Sequence, residues 1–102
     1  MTLPSTRSLE MFNAVSETGS FRGAAEQLGL SPSTVSKAIA DLEARLGTRL
    51  IARTTRHLAL TEAGTAYHAS VSSALATLDE GAETVNSVTA APRGVLRLAM
   101  PV

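Results

Sequence analysis

Three clusters of polar side chains have types and spacings suited to chemistry. The first is Ser31-Pro32-Ser33-Thr34, followed by Ser36 and Lys37. The second is Ser20 with Arg22, and the third is Arg53, Arg56 and His57. Hydroxyls and cations of this kind donate hydrogen bonds to phosphate oxygens and to base edges. Catalysis finds no such support. There is no nucleophile–base pair, no phosphate loop and no metal-ligand spacing. The absence of cysteine excludes a disulfide scaffold, a thiolate zinc site and a cysteine nucleophile. His57 and His68 are too far apart in the pattern to suggest a metal or catalytic pair.

The clusters depend on the elements that hold them. Leu9, Phe12 and Val15, with Met11 and Ala14 beside them, predict a helix over residues 5–18, capped by Ser5 and stopped by Gly19. Ser20 then caps a short helix over 21–28 that buries Ala24, Ala25 and Leu28. Gly23 weakens it by ~1 kcal/mol relative to Ala, so packing must hold it. Ser31 is a good N-cap, and Pro32 takes the first helical position, where its missing N–H costs nothing. The third helix runs over 32–46, with Val35, Ile39, Leu42 and Leu46 as its apolar stripe and Gly47 as its stop. Leu50–Arg53 and Leu58–Leu60 predict a short hairpin with a basic tip at 54–57. Thr61 caps a long fourth helix over 62–90, about 43 Å in length. Its stripe is Tyr67, Val71, Ala74, Leu78, Ala82, Val85 and Val88. That stripe can pack back onto the small domain or pair with a second copy, and its length favours the second.

Three short helices and a hairpin are in winged helix-turn-helix order. The third helix tests the idea. At 100° per residue its apolar stripe falls within about 60°. The opposite face carries Ser33, Ser36, Lys37, Ala40 and Ala44. Short side chains let a helix sink into the major groove, where hydroxyls and Lys37 meet bases and phosphates. The free N–H groups at the helix starts favour phosphate as well. Each feature alone also fits a capped helix or a solvated turn; their joint occurrence, in order, carries the reading.

The charge balance first opposes it. Nine bases and nine acids give a net charge of zero, which is not the footprint of a nucleic-acid binder. Yet residues 1–60 carry seven bases and five acids, a net of +2, and residues 61–102 two bases and four acids, a net of −2. The asymmetry is the informative quantity. A dimer doubles the phosphate contacts, and counterion release scales with their number.

Residues 7–65 closely resemble the DNA-binding domain of LysR-type transcriptional regulators. The resemblance rests on Phe12, Gly19-Ser20-Phe21, Ala24-Ala25, Leu28, Leu30-Ser31, Val35-Ser36 and Ile39. It continues through Leu42-Glu43, Leu46-Gly47, Leu50, Arg53 and Leu60-Thr61-Glu62-Ala63-Gly64. Residues 66–90 match that family's linker helix in position and periodicity, and 92–99 resemble the start of its effector-binding domain. The resemblance implies a mainly α fold: a winged helix-turn-helix over 1–60, a linker and dimerisation helix over 61–91, and a stub of an effector-binding domain over 92–102. It implies double-stranded DNA and a second copy of the chain as partners, with a tetramer open to the full-length protein. It implies no cofactor within these residues and a small molecule bound by the effector domain. Ser33, Thr34, Ser36 and Lys37 then face bases or phosphates. Ser20, Ser31, Arg22 and Arg53 hold phosphates, and Arg56 is the wing contact. Tyr67, Val71, Ala74, Leu78, Ala82 and Val85 form the dimer stripe, and the halves of an interrupted inverted repeat are read by the two domains. One departure matters: the family often has Gln-Pro after the capping Ser, and Pro32-Ser33 stand here, so a bidentate Gln contact is replaced by readout from Ser33, Ser36 and Lys37.

No apolar leader and no run of ~18 apolar residues is present, so a soluble, cytoplasmic chain without a membrane partner is expected. Two other readings share the architecture. One is the regulator domain of a molybdate-responsive type. The other is a winged helix used for protein contacts alone, which the short-chained face of helix three argues against. An enzyme is the least favoured class.

Overall fold

The computed structural model describes residues 3–53 and 58–90. The hairpin tip with Arg56 and His57, and the segment expected to begin another domain, lie outside these residues. The elements are α1 (Thr6–Thr18), α2 (Phe21–Leu28), α3 (Pro32–Leu46), β1 (Ile51–Arg53), β2 (Leu58–Leu60) and α4 (Glu62–Ala90). The fold is mainly α, a winged helix-turn-helix followed by a long helix.

Local chemistry sets the boundaries. The hydroxyls of Ser5, Ser20 and Ser31 accept from the backbone N–H of Ser8, Gly23 and Thr34, each three residues on. At the end of α3 the chain reverses through Gly47 at φ 72°, a left-handed conformation that costs an L side chain energy. Its N–H donates to the Glu43 carbonyl at 2.8 Å.

The chain divides into two compact units, Met1–Ser72 and Ser73–Val102. The first has one core. Met11, Phe12, Ala14 and Val15 of α1 pack with Ala24 and Ala25 of α2 and with Val35, Ile39 and Leu42 of α3. Leu50, Ile51 and Val71 complete it. Leu28, expected inside, is half-buried. Phe12 is fully buried, with the Tyr67 ring 5.7 Å away and the His68 ring 6.3 Å away, edge-on. The strands pair antiparallel, Ile51 with Leu60, Ala52 with Ala59 and Arg53 with Leu58.

This packing bears on two residues of the expected dimer stripe. Val71 is only 3% exposed and Tyr67 is half-buried against Phe12. Both were expected on the dimer stripe; in this chain Val71 packs into the core and Tyr67 lies partly against it. The first compact unit, Met1–Ser72, includes the first turns of α4. In the second unit, Leu78 and Val85 are each 59% exposed and Val88 is 72% exposed, an apolar row left open among the described residues.

Candidate nucleic-acid interface

Helix α3 begins in a cluster of hydroxyls. The Ser31 Oγ accepts from the Thr34 N–H and lies 2.7 Å from Thr34 Oγ1 and 3.2 Å from Ser33 Oγ. Ser31, Ser33 and Thr34 are all exposed. A hydroxyl has one donor and two acceptor sites, so each keeps capacity for an outside partner. Lys37 is exposed and sits 3.5 Å from Asp41 one turn on. A surface pair of this kind is worth ~0.5 kcal/mol, which leaves the ammonium free to turn to a phosphate. Ser36 is half-buried, and Ala40 and Ala44 are exposed on the same side.

The exposed face of α3 continues into an open depression lined by Ala40, Glu43, Ala44, Gly47, Thr48, Arg49 and Arg53. The short-chained face of α3 and the basic base of the wing therefore share one surface. Glu43 holds them together. Its carboxylate is 10% exposed, and its Oε2 accepts from the N–H of Leu50 at 2.8 Å and of Ile51 at 3.1 Å. The Arg49 guanidinium lies 3.6 Å from the same oxygen and donates to the Ile51 carbonyl. Thr61 ties the other side: its hydroxyl donates to the Arg49 carbonyl and accepts from the Gly64 N–H.

At the start of α2 the Ser20 hydroxyl is engaged by Gly23, and Arg22 is exposed. The Arg53 guanidinium stands 5.2 Å from the centroid of the Phe21 ring. The α2 start, Arg53 and the α3 face thus belong to one side of the first unit. Sequence reasoning missed Arg49, and it quoted Glu43 without a role. A charge beside the apolar stripe of α3 was the available signal for Glu43. Ala74, Leu78, Ala82 and Val85 of the expected dimer stripe are exposed. His68 faces Phe12, and its Nε2 is buried without a partner among the described residues. Among the described residues no group of three His, Cys, Asp or Glu side chains comes together as a metal site, and no helix is long and apolar enough to cross a membrane.

The family model for bacterial regulatory helix-turn-helix proteins of the lysR family matches residues 6–65. The chain belongs to the LysR family. An HTH-type transcriptional regulator of Xanthomonas campestris pv. campestris is 45% identical over 91 residues, 89% of this chain and 26% of the relative. An HTH-type transcriptional repressor of Pseudomonas aeruginosa is 45% identical over 87 residues, 85% of this chain and 27% of the relative. The LysR chain described here therefore spans about a quarter of the length of these curated relatives. Among solved structures, the BenM DBD/catB site 1 DNA complex superposes with a TM-score of 0.81 at 27% identity, covering 86% of this chain and 98% of the other. The CbnR DBD–DNA complex gives 0.75 at 29% identity, covering 83% and 98%.

Proposed function

We propose that this LysR-family chain is the sequence-specific DNA-binding part of a transcriptional regulator. One observation carries the reading: the short-chained face of α3, with Ser33, Lys37, Ala40 and Ala44, runs into a depression bearing Arg49 and Arg53. Low side chains let α3 enter the major groove, and the flanking cations meet the phosphates. Ser33, Ser36 and Lys37 read base edges. Arg22, Arg53 and Arg56, with the capped starts of α2 and α3, hold the backbone. Two copies pair through Ala74, Leu78, Ala82 and Val85 and read an interrupted inverted repeat. The names and DNA complexes of the relatives support this reading. It assigns binding and no reaction to these residues, and it leaves small-molecule response to the additional length that the relatives have.

Selection from random duplex DNA at near-physiological salt tests it. Recovery of an interrupted inverted repeat is expected. Salt-sensitive but sequence-blind binding would overturn the specific readout by α3, and absence of binding even at low salt would overturn the DNA reading altogether.

A further inference from the structure

Arg53 ends β1, yet its guanidinium lies over a ring at the start of α2, 5.2 Å from the Phe21 centroid. Both ends of this contact are anchored. Phe21 is the first residue of a helix whose cap bond from Gly23 to Ser20 is 2.8 Å and whose Ala24 and Ala25 are buried. Arg53 follows Ile51, which is 1% exposed in the core. Arg53 itself is exposed, and among the described residues it takes part in neither ion pair, Lys37–Asp41 or Arg49–Glu43. The distinction matters. A carboxylate would compete with phosphate for the N–H edge of the guanidinium, whereas a ring attracts the flat face and leaves that edge free.

We propose that Phe21 is a positioning residue for DNA binding: its ring presets the Arg53 guanidinium to meet a backbone phosphate. The inference rests on the DNA-binding reading above. A long, rotamer-rich side chain loses freedom when a ligand fixes it, and presetting it lowers that cost. Phosphate contacts carry no sequence information. Phe21 therefore acts on affinity for every duplex alike and leaves the preferred sequence unchanged. The ordering cost saved on one such side chain corresponds to a factor of about two to ten per domain.

A double-mutant cycle on the DNA-binding chain tests this, with the selected inverted-repeat duplex and a random duplex as probes. Binding is read at a temperature where circular dichroism shows every variant folded. Phe21→Leu keeps apolar bulk and is expected to weaken both probes by about two- to ten-fold per domain. Phe21→Tyr keeps a ring and should bind as the parent does. Once Arg53→Ala is present, Phe21→Leu should cost nothing more. Equal losses from Phe21→Leu with and without Arg53 would mean that Phe21 acts through folding, and the proposal fails. If Arg53→Ala leaves binding unchanged, the proposal fails while the DNA reading stands. If the parent chain binds neither probe, the DNA reading itself has failed.

Discussion

Replacing Glu43 with alanine removes the one acceptor that serves two buried backbone N–H groups. Leu50 and Ile51 are each 1% exposed, so water cannot readily take over. Bonds to a charged acceptor contribute roughly 1.5–3 kcal/mol each. Both here share a single oxygen, at 2.8 and 3.1 Å, so they do not add in full. Arg49, with a side chain 64% exposed, adds little to the pair. Glu43→Ala should therefore cost about 3–4 kcal/mol. Glu43→Gln keeps a carbonyl oxygen for both N–H groups but loses the charge, a cost of about 1 kcal/mol. A domain of this size loses roughly 4–8 °C of melting temperature per kcal/mol. Thermal melts followed by circular dichroism at neutral pH should show Gln lower by about 4–8 °C and Ala lower by 12 °C or more. Equal melting temperatures for the two variants, or an Ala variant within a few degrees of the parent, would refute the claim that Glu43 ties α3 to the wing.

Two glycines of α4 should respond to alanine with opposite signs. A Cβ at Gly64 would run into the Leu50 carbonyl oxygen, so Gly64→Ala should destabilise by about 3 kcal/mol or more despite its better helix propensity. Gly81 has open space around it, so Gly81→Ala should stabilise the helix by about 1 kcal/mol; denaturant titration of both checks the contrast. Lys37→Ala should leave the melting temperature nearly unchanged, because the pair with Asp41 is exposed, and should lower the magnitude of the salt slope of DNA binding by about 1 per domain. Leu78→Asp with Val85→Asp should give monomers in sedimentation with the first unit still folded, since both residues are exposed. Val71→Asp should unfold that unit instead, by placing an unpaired charge in its core.

Element boundaries were legible because caps are local. Ser5, Ser20 and Ser31 each bond three residues ahead, and Gly47 turns on its own backbone. Such interactions lie within a window that spacing alone can read. The short-chained face of α3 was equally visible, because the opposite stripe of Val35, Ile39 and Leu42 had to be buried. The use made of the α4 stripe was not. Periodicity shows that Tyr67, Val71, Leu78 and Val85 share a face, but it does not say what covers each one. Phe12 covers Tyr67, the core takes Val71, and Leu78 and Val85 stay open.

The decisive contacts of the candidate site also join different elements. Glu43 reaches Leu50 and Ile51, Phe21 meets Arg53, and Gly64 makes room for the Leu50 carbonyl. Helices, caps, turns and the short-chained face of α3 follow from neighbours along the chain, whose geometry the backbone dictates within a turn or two. Which charge is spent on backbone N–H groups, which cation rests on a ring and which valine is core follow from packing between distant segments. One-dimensional spacing carries no record of those meetings.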